Sequence, residues 1–152
     1  MHEARVADEL EIRSLIARYS DAVARRDEKS WAATWAGDCE WHILGRPVEG
    51  RDAIVSLWSQ MMGGFPFVLQ LPTFGVVDFP DGGAGAGPDA TGRWYVTEYG
   101  QGAGGSLLTL GVYHDRYLRE DDAWRFARRR FDVLYMGPPD LSAAPLPFPS
   151  NP

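Results

Sequence analysis

The chain has a single cysteine, Cys39, so no internal disulfide can staple the fold. No CxxC motif or nearby histidine accompanies it, and Cys39 reads as a small buried hydrophobe rather than a reactive thiol. Histidine is scarce as well. His2, His42 and His114 form no HxH, HExxH or His-Cys spacing, so no metal is expected. Positive charge is in deficit: 15 basic against 21 acidic residues give a net charge of −6, a field that repels nucleic acid and anionic membranes. The run Arg128 to Arg130 is too short to reverse it. No apolar run approaches a membrane span, and the first residues, MHEARVADELEIRSL, carry charges throughout, unlike a signal-peptide core. The expected compartment is the cytoplasm. The glycines of DGGAGAGPD, Asp81 to Asp89, have no helix behind them and make a poor phosphate cradle, so no cofactor is expected. There is no internal repeat.

What is present fits one globular domain. At 152 residues and 16.9 kDa the chain can bury a substantial core without staples. Its 6 Trp, 6 Tyr and 7 Phe are enough to fill a core and line a pocket.

Apolar residues at helical spacing from about Val6 to Arg26 (Leu10, Ile12, Leu15, Ile16, Tyr19, Ala22, Val23) predict a long amphipathic helix. After a break at Asp27 to Ser30, Trp31 to Trp35 reads as a second short helix with both indoles on one face, ended by Gly37. Cys39 to Leu44 predicts a strand and Gly45 to Pro47 a turn. Gly50 precedes a third helix, RDAIVSLWSQMM, that Gly63-Gly64 stops. Four strands follow: Phe67 to Phe79, where Pro72 predicts an edge or a bulge, then Arg93 to Gln101, Ser106 to Arg119 and Trp124 to Tyr135. The last two form an alternating hairpin around the acidic turn Glu120, Asp121 and Asp122. The order is that of an α+β domain over residues 1–136, followed by a Pro-rich C-terminal arm, 137–152, laid on the body or on a neighbouring subunit.

The layout, with DELEIRSLIARYSDAVARRDEKSWAATWAGDCEWHILGRPVEGRDAI and GVYHDRYLREDDAWRFARRR, resembles the SnoaL-like branch of the nuclear-transport-factor-2-like superfamily. The landmarks are the Tyr19 helix, the Asp27 break, the aromatic segment before Asp38, Gly50-Arg51, and a Gly-x-Tyr-x-Asp strand with Trp124 and Arg129 after it. The resemblance implies a cone-shaped, strongly curved antiparallel sheet packed on the long N-terminal helix and two shorter ones, enclosing a pocket, with dimers formed through the sheet. It also implies a choice among dehydratases, isomerases, polyketide cyclases, epoxide hydrolases, oxygenase subunits and pure binding proteins, which fold alone does not settle. In the dehydratase members, a helix tyrosine and an aspartate three residues before the Asp27 position work with a histidine on the strand after the third helix. Tyr19 matches the tyrosine. The aspartate position falls on Ala24 and the histidine position near Leu71 or Pro72, while Asp115 and Arg129 match the family's acidic and basic pocket positions.

The candidate catalytic residues are therefore Tyr19, Asp21, His114, Asp115 and Arg129. Asp21 would replace the missing acid, a role that needs an apolar setting to raise its pKa, against the alternative of a solvated helix face. His114 and its neighbour Asp115 point to opposite faces of a pleated strand, so regular alternation admits one of them to the cone. Arg129 needs an anionic partner, which is either Asp115 or a substrate anion. His42 is a weaker proton carrier. Trp35, Trp41, Trp58, Phe74 and Tyr113 are candidate ligand-binding residues among aromatics that must also supply the core. The expected function is a cofactor-independent lyase, isomerase or cyclase acting on a small hydrophobic ring compound. The alternatives are a noncatalytic binding protein of the same fold or an assembly subunit. The expected partners are the metabolite and a second copy of the chain.

Overall fold

A computed structural model describes residues 2–80 and 90–149, so the glycine-rich loop Asp81 to Asp89 lies outside the described residues. Helix α1 runs His2–Arg25 and buries Ile12, Leu15, Ile16, Tyr19, Ala22 and Val23 on one stripe. It starts earlier than Val6, with Glu3 in the first turn favouring the positive end of the helix dipole. Leu10 turns outward at 60% exposure. The helix closes at Arg26, whose φ of 55° lies in the left-handed region, as its N–H returns to the Val23 carbonyl at 3.2 Å.

Asp27 then caps α2 (Glu28–Ala32), its Oδ1 accepting the Ser30 N–H at 3.0 Å. The helix is shorter than Trp31 to Trp35. Trp35 begins β1 (Trp35–Ile43) and pairs with Phe126, so the two indoles meet at 5.7 Å edge-on from different elements and do not share one helix face. Gly37 lies inside that strand, donating its N–H to the Glu120 carboxylate at 2.8 Å, and is not a helix stop. Leu44 and Gly45, at φ 52° and 74°, form a two-residue turn into β2 (Arg46–Glu49), a strand the sequence reading took partly as turn. Pro47 is tolerated because β2 is an edge.

Helix α3 (Arg51–Met62) follows Gly50 and ends at Gly63. Strands β3 (Phe67–Asp78), β4 (Ala90–Gly102), β5 (Gly105–Glu120) and β6 (Ala123–Gly137) are consecutive and antiparallel. The sheet order is β2-β1-β6-β5-β4-β3, open at both ends, and β1 joins β6 in parallel. Pro72 accordingly sits on an edge strand and at a bulge, since the β3 register shifts between Pro72 and Phe74. The β5–β6 hairpin turns at Asp121 and Asp122, φ 52° and 60°, the mirror-image turn whose twist suits a hairpin.

The inner face of the sheet and α1 enclose the main core. On the outer face, Leu108, Val112 and Tyr135 are buried apart from it. The C-terminal segment crosses there: the Leu146 N–H donates to the Leu134 carbonyl at 2.8 Å, and the Tyr135 hydroxyl donates to the Pro138 carbonyl at 2.7 Å. Phe148 lies 6.4 Å from the Tyr95 ring and 6.2 Å from His114. No helix is long and apolar enough to cross a membrane among the described residues.

Candidate active site

Between α1, α3 and the inner face of the sheet lies a pocket with a cavity volume of about 90 Å³. Its apolar walls come from Trp41 on β1, Trp58, Met61 and Met62 on α3, Phe65 before β3, and Phe131 on β6. Trp58 is fixed by stacking on Trp31, centroids 4.6 Å apart and planes 12° from parallel. Phe131 lies across Gly111, where any Cβ would come within 2.3 Å of the ring, so glycine sets the depth of this wall. The rim is pinned by Arg26, which donates to the Met62 carbonyl at 2.9 Å and also to that of Phe65.

Five polar side chains enter this apolar space: Tyr19, Gln70, Glu98, Thr109 and Tyr113. Gln70 organises them. Its Oε1 accepts from the Ser20 hydroxyl at 3.0 Å, while its Nε2 donates to Glu98 Oε2 at 3.1 Å and to the Tyr113 hydroxyl at 3.2 Å. The Tyr19 ring lies edge-on to that of Tyr113, with centroids 6.0 Å apart. The Tyr113 hydroxyl accepts from Gln70, which leaves its own proton to be given to a ligand. Burial raises the Tyr113 pKa and, together with the Tyr113 coupling, pushes that of Tyr19 well up, so both remain neutral donors at physiological pH. Glu98 is raised above the ordinary carboxylate value by burial, opposed by the Gln70 hydrogen bond.

Asp115 and Arg129 stand behind this wall and do not line the pocket. Arg129 is 1% exposed and grips Asp115 with two bonds, Nε to Oδ1 at 2.8 Å and Nη2 to Oδ2 at 3.1 Å. Its guanidinium carbon lies 3.6 Å from the Tyr113 ring centre, 4.2 Å from Phe126 and 4.4 Å from Tyr19. The Tyr117 hydroxyl donates to Asp115 Oδ2 and accepts from Trp94 Nε1, both at 2.8 Å. Burial pulls the Arg129 pKa down, but Asp115 and the two tyrosines outweigh it and the net shift is upward. The bidentate geometry identifies a charged pair. Of the two partners the sequence allowed for Arg129, the structure supplies Asp115.

Two other expected catalytic groups fall outside the pocket. Asp21 is 61% exposed on the far side of α1, paired with Arg25 at 2.9 Å, because it flanks the apolar stripe; water holds it and the role of missing acid cannot pass to it. His114 faces the outer surface, as alternation from Tyr113 and Asp115 requires, with Nε2 3.3 Å from Asp132 Oδ2; burial and then Arg130 lower its pKa. His42, whose Nε2 meets Glu40 at 2.6 Å, does not line the pocket either. Among the ligand-binding candidates, Trp41, Trp58 and Tyr113 line the pocket. Trp35 is fully buried core, and Phe74 is 61% exposed on the outer face, stacked on Tyr95, since the bulge at Pro72 turns it outward. Cys39 is buried, its thiol pushed up to about 11 by burial, in keeping with an unreactive role.

Gln70 and Glu98 were missed. On β3 it is Gln70 that enters the pocket and pairs across the strands with Glu98, while Leu71 is turned to the opposite face. The signal was available: Glu98 is the charged residue at an alternating position in an otherwise apolar inward series that includes Trp94 and Val96. Among the described residues, no three of His, Cys, Asp and Glu converge as metal ligands.

A helix-wrapped, curved sheet with a polar cluster deep in an apolar cone defines the nuclear-transport-factor-2-like class of pocket proteins. The chain matches the SnoaL-like domain over residues 4–130 and belongs to that family. Among solved structures it is similar to LinA (26% identity, TM-score 0.78, covering 95% of this chain and 97% of that one). A hexachlorocyclohexane dehydrochlorinase, LinA-type3 from Novosphingobium barchaimii, matches at 23% identity and TM-score 0.80, covering 98% and 100%. The protein Rv3472 of Mycobacterium tuberculosis, of unknown function, matches at 25% identity and TM-score 0.72, covering 84% and 76%. No curated protein matches the chain.

Proposed function

We propose that this chain is a cofactor-independent acid-base enzyme of the lyase or isomerase type, acting on a small hydrophobic ring compound held in the cone. The observation that carries the reading is the bridge from Glu98 through Gln70 to Tyr113 inside an apolar pocket. A carboxylate raised by burial is a stronger base than an exposed one and is suited to take a proton from carbon. A hydroxyl that already accepts from Gln70 is suited to donate to the oxygen or leaving group where negative charge gathers. Gln70 holds the two at a fixed separation, and Arg129 acts through the tyrosine rings as a positioning residue. The name of the LinA-type3 structure, a dehydrochlorinase of a ring compound, supports elimination as the reaction class.

A second reading, a noncatalytic binding protein, is favoured by Gln70 itself, which has no proton to exchange at its inward strand position. Both readings accommodate a homodimer through the sheet, supported by the exposed Phe67, Leu71, Phe74 and Val76 of the outer edge strand. The test is proton chemistry. Single-ring ketones, enones and halogenated cyclohexanes are incubated with the enzyme in D2O and followed by NMR for deuterium uptake or release of the leaving group. Catalysis that falls at least 100-fold in Glu98→Gln, within the usual range for a lost general base, supports the enzyme. Bound ligand with no exchange leaves the binding protein, and equal exchange in Glu98→Gln removes Glu98 as the base.

A further inference from the structure

We infer that the pocket prefers ring compounds bearing a positively charged nitrogen and rejects carboxylates. The inference rests on Glu98 being the working carboxylate of the proposed site, and it specifies the charge of what that site receives. Six aromatic rings line the cavity, those of Tyr19, Trp41, Trp58, Phe65, Tyr113 and Phe131, and Glu98 is the one charged side chain among the lining residues. Aromatic faces present negative potential, so rings arranged around a carboxylate form the environment in which an ammonium group is attracted from several sides.

The cation that could have reversed this field is sealed away. Arg129 gives both its carboxylate-facing bonds to Asp115, has three rings against its guanidinium and is 1% exposed, so it offers no bond to a ligand in the pocket. A substrate carboxylate entering the cone would therefore meet Glu98 with no cation to receive it, and would lose its hydration without replacement.

The same charge suits the proposed chemistry. A neutral apolar ligand strips water from Glu98 and drives it further toward its protonated form, which cannot act as a base. A nitrogen cation a few bonds from the reacting carbon offsets that desolvation and keeps the carboxylate ionised. Gln70 occupies only Oε2 of Glu98, so Oε1 carries no protein hydrogen bond among the described residues.

The experiment uses three ligands with one ring and three charges, benzylammonium, benzyl alcohol and benzoate, titrated at neutral pH by calorimetry and by tryptophan fluorescence, which Trp41 and Trp58 report. The expected order is benzylammonium about ten-fold tighter than benzyl alcohol, on the scale of a desolvated cation–π contact with a charged hydrogen bond, and benzoate without measurable binding. In Glu98→Gln the ammonium-to-alcohol ratio falls to about three-fold or less, the share left to the rings, whereas Glu98→Asp keeps most of the preference; thermal unfolding checks that both variants are folded. Benzoate binding as tightly as benzylammonium, an ammonium preference undiminished in Glu98→Gln, or no binding by any of the three overturns the inference. The outcomes separate it from the proposed reaction. If benzyl alcohol binds as well as benzylammonium while deuterium exchange still depends on Glu98, the charge preference falls and the acid-base reading stands. If exchange is absent while the ammonium preference holds, the pocket is a cation-binding site without the reaction.

Discussion

Two carboxylates sit in the interior of this protein, and their surroundings differ in one respect. Asp115 has a cation bonded to both its oxygens and a tyrosine hydroxyl besides, whereas Glu98 has one amide and an opening to the pocket. Burial raises both. In the first case the opposing charge is fixed and the group is spent on architecture, since a fully satisfied ion pair has nothing left to offer a ligand. In the second the missing charge is left for the substrate or for a proton. On the proposed reading, the inward-facing charged pair is the site's scaffold and the carboxylate without a cation is its working group.

The comparison can be broken by mutation. Glu98→Gln is expected to lower turnover by about 10²- to 10⁴-fold with no loss of melting temperature, measured by the D2O assay alongside thermal unfolding. Arg129→Met should do the converse first, costing about 3–5 kcal/mol in denaturant unfolding because it leaves Asp115 buried and alone. The double replacement Arg129→Met with Asp115→Leu should recover most of that loss; if it is as damaging as the single change, the pair does more than hold the wall.

The sign of the pH dependence sharpens the contrast. Glu98 holds its proton more tightly in the folded protein than in the unfolded chain, from its ordinary value of 4.5 upward. The stability it contributes is thus full at low pH and is lost as pH rises through its folded pKa. Activity should move oppositely, rising as Glu98 ionises. Melting curves of the native protein and Glu98→Gln, compared from about pH 4 to pH 8, should diverge over that window, and parallel curves would remove the raised pKa. The smallest effect is expected from Asp21→Asn, which breaks only an exposed helix pair and should change stability by about 0.5 kcal/mol or less and leave turnover unchanged.

Much of the fold was legible because period-2 and period-3.6 patterns survive in long elements. The stripe from Ile12 to Val23, the Asp27 cap, the α3 boundaries and the four-strand run all follow from local chemistry. What failed was non-local. Trp35 has good helical spacing from Trp31, yet a partner some ninety residues away, Phe126, draws it into the sheet. Tyr19 and Tyr113 could be placed in the pocket from pattern and resemblance, and Asp115 and Arg129 could be paired. Whether Arg129 met substrate or Asp115 required the depth of the wall, which no alternation pattern encodes. Gln70 and Glu98 escaped because the resemblance points to Leu71 or Pro72: Leu71 lies on the opposite face, and Pro72 lies on the same face but one strand repeat beyond Gln70.

The parallel seam between β1 and β6 has a consequence for how the pocket comes into being. Its two strands are separated by α3 and four intervening strands, so closing the seam brings together segments about ninety residues apart. Trp41 on one side and Phe131 on the other become facing walls only when that seam zips. During synthesis the cavity therefore cannot form until the last strand has left the ribosome, and the seam carries a loop-closure cost that local helix and hairpin formation do not. The binding site is a late product of folding, which makes its acquisition, read from ligand-induced tryptophan fluorescence during refolding, a direct clock for completion of the native sheet.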